Sequence, residues 1–149
     1  MEDPRPRMQE ALKEAMKNKD NLRRDVIRMA QNAIKQEQID SQKELNAEDV
    51  ASILQKEAKK RRESIDELVA AKRDEMAQQE TAELAVLVEF LPKQLSEDEI
   101  RRIVQQVIAD AGVTSPKDMG RVMGPVMKQV KGLADGNLVN KIVRELLND

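Results

Sequence analysis

The chain has 149 residues, with 26 Lys and Arg against 28 Asp and Glu, and its net charge of −2 excludes a globally basic surface for nucleic acid or membrane. Cys, His, Trp and Tyr are absent, which excludes disulfides, thiolate nucleophiles and histidine-based sites, and we expect no cofactor and no metal. Phe90 is the single aromatic residue, so a core of aliphatic residues and Met is expected, which favours packed helices over a sheet.

The first seven residues, MEDPRPR, are polar and contain two prolines, unlike the apolar segment of a secretion signal. No stretch of the sequence approaches the roughly 20 apolar residues that a membrane span requires. We therefore expect a cytoplasmic protein with no membrane partner.

Long helices are predicted for the first half of the chain, because all five Gly lie between Gly112 and Gly136. A cap at Asp20 or Asn21 separates the first helix from the second. Their apolar residues recur at helical spacing: Met8, Leu12, Ala15 and Met16, then Leu22, Val26, Met29, Ala33 and Ile34.

Two more helices complete this half. Asn46 is expected to cap the third, with Asp49 at its third position, and its apolar positions are Val50, Ile53, Leu54, Ala58, Ile65, Leu68 and Val69. The fourth runs from about Met76 to Leu91 and ends at Pro92, since the residue before a proline avoids helical geometry. Its end is hydrophobic on nearly all sides, which predicts that it lies at the junction of two parts. The break near Lys72 to Asp74 contains neither Gly nor Pro.

Shorter helices are predicted after Pro92. Ser96 and Glu99 read as a capping box for a helix that ends at Gly112. Ser115 then caps a helix with Pro116 at its first position.

The apolar stripe of that helix continues past Gly120, Gly124 and Pro125, so we expect one kinked helix or two short ones stacked end to end. Asp135 caps the last helix. The predicted fold is all-α, with an N-terminal bundle of long helices in residues 1–95 and a C-terminal module of three to four helices in residues 96–149.

Four consecutive cations lie in the middle of the third helix: Lys59, Lys60, Arg61 and Arg62. At about 100° per residue they sweep about 300°, so they cannot share one solvated face. Two explanations stay open. In the first, the run has a structural role: the side chains extend along the apolar stripe, or the helix projects past its partner. In the second, the run is a basic surface that binds anions, and Arg23, Arg24 and Arg28 extend this surface.

A second basic set follows Gly112, and its six members exceed the acidic residues there by two: Lys117, Arg121, Lys128, Lys131, Lys141 and Arg144. Ordinary solvated helix faces produce the same excess. The nearby glycines, Gly120, Gly124, Gly132 and Gly136, expose backbone among these cations, an arrangement suited to phosphate oxygens. Helix crossing or capping is the alternative role of the glycines, and capping is favoured for Gly132 and Gly136.

The sequence contains no set of residues for autonomous catalysis. Ser96 and Ser115 are better explained as caps, and the other serines have no Gly-rich elbow or neighbouring base. Phosphate-cradling and dinucleotide-binding glycine patterns are absent.

Five groups of residues follow one another in a specific order: Ile27-Arg28-Met29; Lys59, Arg61 and Ser64 within KKRRES; Leu91-Pro92-x-Gln94-Leu95-Ser96; Asp118-Met119-Gly120-x-Val122-Met123-Gly124; and Val130-Lys131-Gly132-x-Ala134-Asp135-Gly136 with Val139 and Asn140. Together they resemble the YqeY family, and the resemblance covers nearly the whole chain. The C-terminal half of that family is similar to the tail domain of the GatB subunit of glutamine-dependent aminoacyl-tRNA amidotransferases. The family often has a glycine where Ala71 stands.

The resemblance implies two helical domains and a role near tRNA. In the amidotransferase, the tail helps to hold tRNA while other domains activate the aminoacyl group and deliver ammonia. This sequence resembles the holding part without those domains. A carbon-nitrogen ligase activity with glutamine as amido-N-donor would therefore rest on family membership alone.

We expect a tRNA-binding accessory module without autonomous catalysis, and its predicted RNA-binding residues are Arg28, Lys59, Lys60, Arg61, Arg62, Lys117, Arg121, Lys128, Lys131 and Lys141. Because Phe90 is expected to be buried, aromatic platforms for bases are missing, and contacts should go to RNA backbone and shape. The alternative is a protein adaptor that docks on a tRNA synthetase or an amidotransferase subunit through apolar helix faces.

Overall fold

The computed structural model describes residues 1–148, and these residues form seven α-helices, one short 3-10 helix and no strand. The helices are α1 (Arg5–Lys17), α2 (Asn21–Ser41), α3 (Ala47–Ala70), α4 (Asp74–Val88), α5 (Glu97–Ala111), α6 (Met119–Val130) and α7 (Gly136–Asn148), with the 3-10 helix at Pro116–Asp118. The all-α prediction is confirmed. None of the helices in this range is long and apolar enough to cross a membrane.

The chain divides into two compact units, the first covering Met1–Pro92 and the second beginning at Lys93. This division lies three residues before the predicted one between residues 95 and 96. The physical reason is local, since the backbone N–H of Leu95 donates to the carbonyl of Leu133 at 2.8 Å. The side chain of Gln94 donates to the carbonyl of Gly132 at 3.1 Å. Both bonds tie the segment after Pro92 to the second unit.

In the first unit, α1 packs along α2, α3 packs along α4, and α2 contacts both α3 and α4. Its core is aliphatic, with Phe90 as the aromatic member, and includes Met8, Val26, Ile27, Ala30, Ile34, Val50, Leu54, Ala58 and Leu87. Met16 and Met29 were predicted to belong to the apolar faces of α1 and α2, but they are 51% and 58% exposed. Both lie at the edge of a stripe whose centre is filled by other buried side chains of the same helix.

Side-chain caps set the starts of α2 and α3 as predicted. The carboxylate of Asp20 accepts a hydrogen bond from the N–H of Arg23 at 3.1 Å. Asn46 and Asp49 form a complete capping box, each side chain accepting from the other's backbone N–H. These bonds satisfy donors that the first helical turn leaves free.

The α3–α4 turn has no glycine, and Lys72 supplies the left-handed conformation with φ of 59°. The N–H of Arg73 donates back to the carbonyl of Leu68 at 2.9 Å, and that of Lys72 to Val69 at 3.0 Å. The break predicted near Lys72 to Asp74 is therefore confirmed. A side chain at positive φ costs about 1–2 kcal/mol, because its Cβ crowds the backbone.

The fourth helix ends at Val88, three residues before the predicted end at Leu91. From Glu89 to Leu91 the backbone N–H groups donate three residues back, at 3.1–3.3 Å, so the last turn tightens before Pro92. Leu87 and Phe90 are buried in the first unit's core, whereas Val88 is 42% exposed. Hydrophobicity on all sides of this segment therefore does not mean burial on all sides.

In the second unit, α5, α6 and α7 pack against one another in pairs around one aliphatic core. Ser96 and Glu99 form the predicted capping box of α5, and Gly112 ends it with φ of 66°. Ser115 caps the 3-10 helix that leads into α6, and α6 continues through Pro125 as one helix. Asp135 accepts from the N–H of Asn137 at 3.2 Å at the start of α7.

One ion pair joins two helices of the first unit across their packed sides. The guanidinium of Arg61 on α3 donates to the carboxylate of Glu83 on α4, and the two side chains are only 13% and 21% exposed. Arg61 also reaches the sulfur of Met29 on α2 at 3.7 Å. This arginine therefore connects three helices.

Replacing Lys72 with Gly is expected to raise the free energy of unfolding by about 0.5–1 kcal/mol, because Gly adopts positive φ without a steric penalty. Lys56→Gly is the matched control, since Lys56 is exposed within α3 and the change should lower stability by about 1 kcal/mol. Urea unfolding followed by circular dichroism measures both. Equal losses for the two variants would contradict a left-handed Lys72.

Removing the Arg61 side chain as Arg61→Met is expected to lower the free energy of unfolding by about 1.5–3 kcal/mol, because the Glu83 carboxylate loses a charged hydrogen-bond partner in a largely dry site. The neighbouring Arg62 is exposed, and Arg62→Met should change stability by less than about 0.5 kcal/mol. Adding Glu83→Gln to Arg61→Met should recover part of the loss in a double-mutant cycle. If Arg62→Met proves as costly as Arg61→Met, the ion pair does not hold these helices.

Candidate nucleic-acid interface

The four consecutive cations of α3 point in different directions, as the helical sweep predicts. Lys59 and Arg61 are half-buried, whereas Lys60 and Arg62 are exposed. Arg61 is engaged with Glu83, and the ammonium of Lys60 lies 3.5 Å from the carboxylate of Glu57 one turn earlier. The run is therefore not a single basic patch, and part of it stabilises the helix pair.

The cations predicted to extend this run on α2 are also largely paired. Arg23 forms an ion pair with Glu89, and Arg24 with Asp25 at 2.9 Å. Arg28 is exposed, and its guanidinium lies 3.6 Å from the sulfur of Met16. Of these three, Arg28 is the one without an ion pair to a described residue.

The second unit presents a different arrangement along α6. Val122, Val126 and Val130 are completely buried, which turns the opposite side of the helix to solvent. Arg121 and Lys128 are exposed there. They are seven residues apart, so their side chains leave the helix within about 20° of each other.

Little side-chain bulk covers the helix backbone between these two cations. Gly124 and Pro125 lie between them, and a Cβ placed on Gly124 or on Gly120 would meet no atom within 4 Å. A ligand backbone can therefore approach the helix backbone closely at this place. The absence of neighbouring atoms also excludes tight helix crossing as the role of these two glycines.

Acidic residues are missing from the whole segment between Met119 and Ala134, which contains three cations, the third being Lys131. Within the described residues, no carboxylate forms an ion pair with Arg121 or Lys128. Lys117 precedes this stripe in the 3-10 helix and is exposed as well. We call Lys117, Arg121, Gly124 and Lys128 the α6 stripe.

The remaining predicted cations lie beside the stripe in sequence. Lys131 is exposed directly after α6 and precedes Gly132, which has φ of 76° and serves the turn, as predicted. Lys141 is exposed on α7. There it borders a shallow groove of about 440 Å³ with Arg144, Glu145 and three asparagines of the same helix, Asn137, Asn140 and Asn148.

The asparagines were not among the predicted site residues. Their spacing of three and eight residues along α7 would have indicated a common face, and Asn140 was already part of a family motif. Glu145 at the border of the groove is paired with Arg101 on α5. The hydrogen bond to Glu145 raises the pKa of the Arg101 guanidinium, so that cation is occupied.

The two units differ in charge. The sequence up to Pro92 contains 17 basic and 20 acidic residues, whereas the sequence from Lys93 contains nine basic and eight acidic residues. The second unit is thus the less acidic one, and within the described residues no carboxylate forms an ion pair with Arg121 or Lys128 of its α6 stripe. Such a surface attracts phosphate groups through charge, and contacts to phosphate carry no information about the base sequence.

Metal-binding clusters of acidic residues are absent from the described part of the chain. The α6 stripe itself offers guanidinium, ammonium and backbone groups. Groups of these types are suited to binding and orienting an anion.

Comparison with known proteins identifies relatives over most of the chain. "Altered inheritance of mitochondria protein 41, mitochondrial" from Pyrenophora tritici-repentis is 31% identical over 146 residues, covering 95% of this chain and 80% of that protein. The protein of the same name from Kluyveromyces lactis is 32% identical over 124 residues, covering 80% of this chain and 66% of that protein. Both names include the word mitochondrial.

A shorter match connects the chain with tRNA amidation enzymes. One subunit of the glutamyl-tRNA(Gln) amidotransferase from Methanospirillum hungatei is 36% identical over 58 residues, which is 36% of this chain but only 9% of that protein. This supports the link to amidotransferase subunits that the motifs implied. The model of the family described as Yqey-like protein matches residues 5–147, and the chain belongs to this YqeY family.

Proposed function

We propose that this protein is a tRNA-binding accessory module that holds the sugar-phosphate backbone of RNA and has no catalytic activity of its own. The observation that carries the proposal is the α6 stripe, in which the exposed Arg121 and Lys128 flank a glycine-containing helix surface and form no ion pair with a described residue. The partial match to an amidotransferase component supports tRNA as the RNA.

In this proposal, Lys131 and Lys141 add positive charge in the same unit as the α6 stripe. Arg28, Lys59, Lys60 and Arg62 supply further contacts from the first unit. Arg61 is proposed as a link between helices, since its guanidinium is occupied by Glu83. The Arg61→Ala variant is therefore a poor probe of RNA binding, because any loss could come from a weakened fold.

The proposed lack of catalytic activity rests on the residue types in the sequence. The sequence has no Cys and no His, and its serines have neither a Gly-rich elbow nor a neighbouring base. The family relationship to amidotransferases is compatible with a carbon-nitrogen ligase complex in which this protein positions the tRNA and other subunits carry out the reaction.

For the compartment, we propose the cytoplasm. The names of the two fungal relatives favour mitochondria as the alternative. Fractionation of cells of the source organism would decide between them.

The α6 stripe is tested by neutralising two of its cations in the double variant Arg121→Gln with Lys128→Gln. We expect tRNA affinity at low salt to fall about tenfold or more. The slope of the logarithm of affinity against the logarithm of salt concentration should also become shallower by about 1.5–2, because each lost phosphate contact removes one counterion-release term. Filter binding at several salt concentrations measures both quantities.

The matched control is Lys35→Gln with Lys43→Gln, which changes net charge equally at exposed positions of the first unit. Its tRNA affinity should stay within about threefold of the unchanged protein, since long-range charge effects are screened at moderate salt. Equal losses in the two double variants would show that total charge matters and the stripe does not. Lack of tRNA affinity in the unchanged protein would overturn the proposal itself.

A protein adaptor is the second candidate, and exposed apolar side chains in the first unit favour it. Met29, Val69 and Met76 are 58%, 57% and 52% exposed. An adaptor should retain its synthetase or amidotransferase partner in a pull-down after nuclease treatment, whereas an RNA-mediated complex should dissociate. Loss of every partner after nuclease would therefore exclude the adaptor.

A further inference from the structure

The outer face of α7 is a polar surface that carries uncharged carboxamides as well as cations. Along the shallow groove, Asn137, Asn140, Lys141, Arg144 and Asn148 follow one another with spacings of three, one, three and four residues. Helix geometry brings all five within about 100° of the helix circumference, over about 16 Å of its length. The groove thus combines three carboxamides and two cations, and the carboxylate of Glu145, which is paired with Arg101, borders it.

The orientation of this face is set by the core. Val139, Ile142, Val143 and Leu147 are at most 4% exposed, and α7 packs through them against α5 and α6. Rotation of α7 would remove these side chains from the core. This face is therefore held toward solvent, with Asn137 exposed and Asn140 half-buried at its edge.

The carboxamides on this face have no partner that would explain them. Within the described residues, the side chains of Asn137 and Asn140 make no hydrogen bond to another protein group. Asn137 lies in the first turn, where asparagine costs little, but Asn140 lies inside the helix, where it is a poorer helix former than Ala. A residue that disfavours the helix in which it lies and makes no compensating contact is expected at functional positions.

The chemistry of a carboxamide fits one feature of RNA. The 2′-hydroxyl both donates and accepts hydrogen bonds, and a carboxamide offers a donor and an acceptor side by side. A-form RNA displays its 2′-hydroxyls in a wide and shallow minor groove, which admits an exposed helix face. Arg144 and Lys141 beside the carboxamides can reach the bordering phosphates.

Stacking on aromatic rings is not available as another means of recognising RNA in this unit. Phe90 is the only aromatic residue of the chain, and it is 5% exposed in the core of the first unit. A unit that contacts phosphates alone would bind DNA and RNA duplexes alike. Discrimination between them needs groups that contact the sugar.

We infer that the α7 face, through Asn137 and Asn140, contacts ribose 2′-hydroxyls in the minor groove of double-helical RNA and makes binding selective for RNA over DNA. This inference rests on the proposed tRNA-binding function. In this inference, the α6 stripe provides most of the affinity for the nucleic acid backbone, and α7 provides the selectivity for RNA over DNA.

The test uses the full chain with an RNA duplex and a DNA duplex of the same sequence, alongside unfractionated tRNA. The unchanged protein should bind the RNA duplex at least about tenfold more tightly than the DNA duplex. In Asn137→Ala with Asn140→Ala, RNA affinity should fall about tenfold, since two hydrogen bonds each contribute a factor of about three to five. DNA affinity and the salt slope should stay unchanged, because no charge is lost.

The matched control removes two exposed carboxamides elsewhere, in Asn32→Ala with Gln105→Ala, and should keep the selectivity for RNA. Ala is the better helix former, and circular dichroism of the Asn137→Ala with Asn140→Ala variant confirms that its helices remain. The α6 double variant should weaken both duplexes by the same factor.

Different failures can be told apart. If the unchanged protein binds tRNA but shows equal affinity for the two duplexes, or if the asparagine variant retains its selectivity, the inference is wrong and the proposed function stands. If tRNA is not bound at all, the proposed function is wrong and the inference fails with it.

Discussion

The burial of three valines determines how α6 is turned about its axis, and the surface of the second unit depends on that rotation. Val122, Val126 and Val130 are completely buried, and moving such side chains into water costs about 1.5–3 kcal/mol each. The helix therefore cannot rotate, and Arg121 and Lys128 must face solvent on the opposite side. Since the segment from Met119 to Ala134 contains no acidic residue, the exposed charge has no counter-charge in its own helix.

Pairing with acidic residues on neighbouring helices divides the cations of this protein into two groups. Arg61 with Glu83, and Arg23 with Glu89, tie helices of the first unit together, and Arg101 with Glu145 does the same in the second. In each pair the carboxylate already satisfies the guanidinium, and a phosphate would have to displace it. The same residue type thus stabilises the fold in one place and stays available to a ligand in another.

In the proposed function, a surface with this composition holds a polyanion and other proteins carry out the reaction. Guanidinium, ammonium and carboxamide groups supply charge and directed hydrogen bonds, whereas bond cleavage needs a nucleophile, a base or an activated water. This division of labour agrees with the family relationship, in which the short match to an amidotransferase component covers 9% of that protein. A protein without exposed aromatic rings cannot stack on RNA bases, so its contacts are expected to go to the charge of the RNA backbone and the shape of the sugar.

The sequence by itself determined the helical class and most helix starts, because a cap depends on residues only three positions apart. Ser96 with Glu99 and Asn46 with Asp49 are confirmed for this reason. Tertiary structure alone decided which edge residues of an apolar stripe are covered, as the exposed Met29 illustrates. It also decided that Arg61 is occupied, since its partner lies 22 residues away on another helix. The reason is that helical periodicity follows from local backbone geometry, whereas burial and ion pairing depend on which helices become neighbours.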